Sequence, residues 1–296
     1  LLERKGARTA LVTTKGFRDA LEIGKGRRLI GGLFDTQWQR PAPLVPRDFR
    51  YEIDERMDAR GNAIRNADDD EYDLLARLLR DQGVEALAIA FVNSYVNAQS
   101  EDRAACALRQ RLPELPICES ADLIPERGEF ERTSTCVLNA YLTPVMRGYL
   151  STLTEQLEEG GISAPINIMG SNGGALSLPA AASRCAGTFL SGPVGGVNGA
   201  LQIAQMAGEP DFITFDMGGT STDVALVYAL SPRMSHDNQI DAYPLQMPQL
   251  DIHTIGASGG SIIWVGPDDT LQIGPQSAGA VPGPACYGRG GAEPTL

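Results

Sequence analysis

Residues 211–227, Asp-Phe-Ile-Thr-Phe-Asp-Met-Gly-Gly-Thr-Ser-Thr-Asp-Val-Ala-Leu-Val, constrain the fold more than any other stretch of this chain. Two apolar β-type runs, 212–215 and 224–227, flank a Gly-Gly turn, which reads as a β-hairpin with a turn longer than the tightest type. Gly218 and Gly219 let backbone N–H groups approach an anion closely, and the hydroxyls of Thr220, Ser221 and Thr222 add donors. That chemistry suits a phosphate. Asp216 and Asp223 would repel a bare phosphate and make sense beside a divalent cation that the phosphate shares. The alternative is a tight hairpin whose aspartates bond only their own turn.

At 296 residues the chain can bury the core of one large domain or two. Its net charge of −12 argues against a general nucleic-acid or anionic-membrane surface, which needs clustered Lys and Arg. No apolar run approaches the roughly 20 residues that span a bilayer, and no signal-peptide pattern opens the chain. It starts at Leu1, followed by Glu3-Arg4-Lys5, which is not expected of a native start. Cys106, Cys118, Cys136, Cys185 and Cys286 are dispersed without C-x-x-C spacing, favouring inert reduced thiols in a cytoplasmic protein. Gly256-Ala-Ser258-Gly-Gly260 fits the pattern of a serine nucleophile elbow, but no His follows Ser258, so a glycine-rich turn is the better reading.

Residues 10–13 form a short strand, and 15–19 lead into a helix through Ala20, Leu21 and Ile23. Lys25-Gly26-Arg27-Arg28 is a basic cluster read as a solvated loop, with a local phosphate contact as the alternative. Pro41, Pro43 and Pro46 before alternating Phe49, Tyr51 and Ile53 suggest a loop feeding an edge strand. Acidic residues 68–71 start a helix with Leu74, Leu75, Leu78 and Leu79 at helical spacing, stopped at Gly83. A buried strand over 84–92, a helix over 100–112 and a strand over 116–120 follow. Val137, Leu138, Tyr141 and Leu142 predict a helix that Pro144 interrupts, with Thr143 capping a second helix through Tyr149, Leu153 and Leu157.

A strand over 165–169 leads to Ser171-Asn172-Gly173-Gly174, either a loop of backbone donors or a plain strand-to-helix turn. Ser191-Gly192-Pro193-Val194-Gly195-Gly196-Val197 reads as a bend opening a helix, its glycines admitting a neighbouring element or a ligand ring. Asp251 and His253 alternate onto one strand face, as a metal pair or as a satisfied structural pair. Residues 274–296 lack any sustained period and are expected to form a long irregular surface segment anchored by Cys286 and Tyr287.

Several of these strings occur together in one order: Glu131-Arg132-Thr133-Ser134-Thr135, Leu138-Asn139-Ala140-Tyr141-Leu142, Ser171-Asn172-Gly173-Gly174, the strings at 191–197 and 215–223, Asp251-Ile252-His253-Thr254-Ile255-Gly256, and Gly283-Pro284-Ala285-Cys286-Tyr287-Gly288. Across nearly the whole chain this resembles the hydantoinase A/5-oxoprolinase family. The resemblance implies an α/β architecture of the actin–sugar kinase–Hsp70 type, with two related domains enclosing a nucleotide. Residues 1–115 would be the remainder of the N-terminal α/β domain, and 116–296 the ATPase domain with the second phosphate motif. A first D-x-G-G-T string belongs near the native N-terminus of that fold. The string from Asp216 to Asp223 matches the second, so an internal fragment is expected. Ser258 stands where the family usually has glycine.

The implied function is an ATP-dependent hydrolase subunit that phosphorylates and opens a cyclic amide such as a hydantoin or 5-oxoproline. It would be a cytoplasmic oligomer acting with a hydantoinase B-like subunit or fused domain. A ketone carboxylase subunit and a non-catalytic nucleotide-binding module are the alternatives. The resemblance assigns Gly218, Gly219, Thr220, Ser221 and Thr222 to the phosphate of ATP, and Asp216 and Asp223 to catalysis by positioning Mg²⁺, another divalent metal, or its waters. Gly192, Gly195 and Gly196 would take the nucleotide, and Asp251 and His253 a further metal contact.

Overall fold

The computed structural model describes Leu1, residues 3–25, Gln37 and residues 41–296. Gly26, Arg27 and Arg28 of the basic cluster therefore lie outside the described residues, while Lys25 pairs with Glu131. The chain divides into two units, each built on its own sheet. The first comprises Leu1–Ile168, Ala175–Phe189 and His236–Pro248; the second comprises Met169–Gly174, Leu190–Ser235 and Gln249–Leu296.

In the first unit, β1 (Thr9–Thr14), β2 (Arg50–Ile53), β3 (Ala86–Ala90) and β4 (Ile117–Glu119) form a sheet in the order β2-β1-β3-β4. Every pairing is parallel. Parallel sheets need helices on both faces, and the apolar alternation supplies two cores. Ala10, Val12, Leu87 and Ile89 meet Leu75 and Leu79 of α1 (Asp69–Asp81) and Ala104 and Leu108 of α2 (Gln99–Arg111). Leu11, Ala86, Ala88 and Ala90 meet Cys136, Val137 and Ala140 of α3 (Glu129–Glu159). The edge-strand expectation holds for β2, and α1 starts as expected, the Asp68 carboxylate accepting the Glu71 N–H at 3.0 Å.

The interruption expected at Pro144 does not occur, because α3 runs through it for 31 residues. A proline inside a helix removes one hydrogen bond and costs about 3 kcal/mol. Every residue from Arg132 to Tyr141 is buried, and that burial outweighs the local loss. Thr143 does not cap a new helix; its hydroxyl donates to the Asn139 carbonyl at 2.8 Å, one turn back.

Glu55, two residues past β2, is 3% exposed and accepts the Thr14 hydroxyl. Burial holds its carboxyl above the ordinary glutamate range, opposed by hydrogen bonds from the Thr14 and Ser100 side chains. The folded protein therefore keeps this proton to higher pH than the unfolded chain, and its stability falls as pH rises through that window. Glu55→Gln, which cannot ionise, is expected to flatten the fall. Urea midpoints measured between about pH 4 and pH 8 check this.

The second unit carries α4 (Ser191–Ala207), β5 (Phe212–Met217), β6 (Thr222–Tyr228) and β7 (Ile252–Ile255). β6 pairs antiparallel with β5 on one side and β7 on the other. Val194, Val197 and Leu201 of α4 pack on Phe212, Ala225, Val227 and Ile252, which share one sheet face. The opposite face exposes Ile213, Phe215, Leu226 and Tyr228.

The string at 191–197 is not a bend before a helix but the first two turns of α4. Pro193 is tolerated there because the first N–H groups of a helix have no partner within it, and the Val194 N–H is the one that bonds back to Leu190. The tail is less irregular than expected. β8 (Ser261–Val265) pairs with β9 (Leu271–Ser277), and the final residues return to β8 through Ile263 N–H to the Pro294 carbonyl and Leu296 N–H to the Ser261 carbonyl. Cys286 and Tyr287 are exposed, so backbone pairing anchors this segment in their place.

Candidate functional site

The register of β5 with β6 pairs Met217 with Thr222 and Asp216 with Asp223, leaving Gly218, Gly219, Thr220 and Ser221 as the turn. The Gly218 N–H donates to the Ser221 carbonyl at 2.9 Å, closing it. Direct pairing puts the carboxylates of Asp216 and Asp223 side by side on one sheet face, where like charges repel. β7 extends the row by one residue, Thr254, whose hydroxyl donates to Asp223 Oδ1 at 2.6 Å. Among the described residues neither carboxylate has an ion-pair partner.

A second loop, residues 256–260, lies against the turn. The Gly259 N–H donates to the Gly218 carbonyl at 3.2 Å, and the buried Thr222 hydroxyl donates to the Ala257 carbonyl at 2.6 Å. A Cβ on Gly260 would sit 2.2 Å from the Gly219 carbonyl oxygen, so only glycine fits there. Ser258 is wholly buried, with its N–H donating to Ser261 Oγ at 2.9 Å and its own hydroxyl unpartnered among the described residues. That enclosure leaves Ser258 no route to act as a nucleophile. Ser258→Ala is expected to stabilise the protein by about 1 kcal/mol by removing an unsatisfied hydroxyl. Gly260→Ala, two residues away, is expected to displace the turn and weaken anion binding there; thermal melts and nucleotide titrations of the pair separate the two effects.

Thr220 and Ser221 stay at the turn, whereas the Thr222 hydroxyl is spent on holding the second loop. Gly192, Gly195 and Gly196 lie in α4, and a Cβ on any of them would meet nothing within 4 Å. At about 100° per residue they fall on the side of the helix opposite Val194, Val197 and Leu201. The packing of a neighbouring described element does not account for them. Asp251 pairs with Arg233 at 3.3 Å, His253 is exposed on β7, and no third metal-binding side chain joins them among the described residues.

Ser171-Asn172-Gly173-Gly174 forms a self-sufficient turn, not a strand-to-helix connection. Asn172 Oδ1 accepts the Gly174 N–H at 3.0 Å, Gly173 takes φ +88°, and a strand, Ala175–Ser177, follows. The Ser171 hydroxyl accepts the Leu190 N–H just before α4, and Asn198 of α4 donates to the Gly173 carbonyl. Sequence reasoning missed Thr254 and Gly260. Their strings were visible, but only strand register shows that they support the turn.

The described residues include no helix long and apolar enough to cross a membrane. Residues 132–296 match the family model described as Hydantoinase/oxoprolinase, and residues 1–112 match the Hydantoinase/oxoprolinase N-terminal region. The chain belongs to the hydantoinase/oxoprolinase family. It is 37% identical to caprolactamase subunit alpha of Pseudomonas jessenii over 296 residues, covering 100% of this chain and 42% of that protein. Over 98% of this chain and 24% of the relative it is 36% identical to 5-oxoprolinase 1 of Arabidopsis thaliana.

Among solved structures, the crystal structure of the ATP-dependent caprolactamase from Pseudomonas jessenii superposes with a TM-score of 0.88 at 37% identity, over 99% of this chain and 42% of that one. The nucleotide-free acetone carboxylase structure gives 0.76 at 28% identity, over 99% and 43%. The chain thus spans less than half the length of these relatives.

Proposed function

We propose that this chain is the phosphate-binding part of an ATP-dependent subunit that activates a cyclic amide for ring opening, in an architecture of the actin–sugar kinase–Hsp70 type. One observation carries the reading: two adjacent carboxylates without a cationic partner among the described residues stand at the mouth of a glycine turn. Their hard oxygen donors suit Mg²⁺, which keeps several waters and takes one or two carboxylates beside a phosphate. A bound cation would relieve the repulsion between Asp216 and Asp223 and neutralise charge on the transferred phosphate. The chain's own residues do the rest. Gly219 offers its N–H group to the phosphate while the Gly218 N–H closes the turn, Thr220 and Ser221 add hydroxyls, and Thr254 orients Asp223.

Phosphorylating an amide oxygen turns it into a leaving group and opens the carbon to attack, which explains why an unstrained ring would need ATP. The ATP-dependent caprolactamase among the relatives supports this reading. The acetone carboxylase supports a second, in which the same site activates a ketone for carboxylation. Relatives described as subunits support a partner polypeptide, for which a hydantoinase B-like subunit is the proposal. Phosphate release by the full-length protein with its partner separates the readings: stimulation by a lactam or hydantoin supports hydrolysis, stimulation by a ketone only with bicarbonate supports carboxylation, and nucleotide binding without either supports a non-catalytic module.

In the same proposal the open backbone at Gly192, Gly195 and Gly196 takes the nucleoside part of ATP. Each glycine costs a helix up to about 1 kcal/mol relative to alanine. Gly196→Ala is therefore expected to raise the melting temperature and weaken ATP binding together. If calorimetry shows unchanged ATP affinity in the stabilised variant, the assignment to the nucleoside fails.

A further inference from the structure

Three of the four cysteines in the first unit, Cys118, Cys136 and Cys185, gather at one place, a clustering that their dispersal in the chain conceals. Cys136 of α3 is wholly buried, and its Sγ lies 3.4 Å from the Sγ of half-buried Cys118 on β4, eighteen positions earlier in the chain. The Cys136 thiol also points to the carbonyls of Cys118 at 3.4 Å and Ile89 at 3.6 Å. Between Cys118 and the third thiol stands Asn139. Its Nδ2 donates to Cys118 Sγ at 3.4 Å and to the Ser183 carbonyl at 2.7 Å, while its Oδ1 accepts the Ala186 N–H at 3.0 Å and the Cys185 thiol at 3.4 Å. Nothing in the proposed phosphate chemistry uses these groups.

We propose that Cys118 and Cys136 form an oxidative modification site, which peroxides convert to a disulfide joining the edge strand β4 to helix α3. The two sulfurs touch already and need approach only about 1.4 Å closer to bond. Cys118, the more accessible, meets the oxidant. Its thiolate attacks one peroxide oxygen and breaks the O–O bond, giving a sulfenic acid and hydroxide, which takes the proton that the Cys118 thiol released and leaves as water. Cys136 then attacks the sulfenyl sulfur, and the displaced hydroxide leaves as water with the Cys136 proton. Two thiols and one hydrogen peroxide thus give one disulfide and two waters. Burial pushes the Cys136 thiol up, and the Cys185 thiol is pushed up to about 11, so neither is suited to meet the oxidant first.

The test treats full-length protein with hydrogen peroxide, alkylates the remaining thiols under denaturing conditions, and maps the peptides without reduction. The expected product is a Cys118–Cys136 linked peptide lighter by two hydrogens, reversed by dithiothreitol, with a melting temperature raised by several degrees before reversal. Cys136→Ser is expected to stop the reaction at the Cys118 sulfenic acid, which dimedone traps; Cys136→Ala serves if the serine variant misfolds. Cys118 and Cys136 both remaining alkylatable while exposed Cys106 and Cys286 oxidise would overturn the proposal, as would a cross-link from Cys118 to any other cysteine.

Discussion

Arg132→Ala is expected to cost the protein about 3–5 kcal/mol, a large loss for a single substitution, because it strands a buried carboxylate. Arg132 and Glu101 are both wholly buried. Glu101 Oε1 accepts the Phe91 N–H at 2.8 Å and the hydroxyls of Ser94 and Ser120 at 2.7 Å each, and Oε2 accepts the Ala121 N–H at 2.7 Å. The Arg132 guanidinium closes this network by donating to the Phe91 carbonyl at 2.7 Å and to both serine hydroxyls. It thereby ties the start of α3 to the end of β3 and to the helical turn Ser120–Leu123. Adding Glu101→Gln to an Arg132→Met background removes the second charge and is expected to recover part of the loss. Urea denaturation of the full-length variants measures both. An Arg132→Ala protein within about 1 kcal/mol of the parent would show that the pair is not what holds these elements.

Asp216→Asn is expected to lower substrate-stimulated phosphate release by about a hundredfold or more while leaving the fold intact. Asp216 is exposed, and amide for carboxylate keeps its shape, so the loss isolates its charge. Asp223→Asn should act similarly. Thr254→Val, which removes only the hydroxyl orienting Asp223, should cost less and be partly offset by raised Mg²⁺. Asp211 at the far end of the hairpin gives the control: its carboxylate accepts the Ala229 N–H at 2.7 Å, and Asp211→Asn should leave turnover unchanged. Steady-state rates at several Mg²⁺ concentrations distinguish lost cation affinity from lost catalysis. Turnover by Asp216→Asn equal to that of the parent would remove Asp216 from the phosphate site.

Local chemistry made much of the first unit and the central hairpin legible. The Asp68 cap, the leucine spacing of α1 and the apolar run of β3 each carry their own signal within a few residues. The turn at 218–221 was equally readable, since glycines between two β-type runs admit few alternatives. What failed depended on tertiary context. Pro144 reads as a break because the burial of residues 132–141 is invisible in a local window. The string at 191–197 reads as a bend because its glycines and proline are loop formers, yet the proline falls where a helix needs no N–H. Thr254 and Gly260 acquire their roles through pairings with residues more than thirty positions away. Arg132 was visible within a family string without a role, which only its burial against Glu101 supplies.

In the proposed function, Asp216 and Asp223 hold a divalent cation beside the phosphates of ATP. The most direct measurement of this is anomalous scattering from crystals of the full-length protein soaked with Mn²⁺ and a non-hydrolysable ATP analogue, with Mn²⁺ standing in for Mg²⁺. One strong metal peak is expected within direct or water-mediated reach of both carboxylates, with a terminal phosphate at the Gly219 N–H and the Thr220 and Ser221 hydroxyls. A nucleotide bound with its metal and phosphates remote from this turn would contradict the proposal.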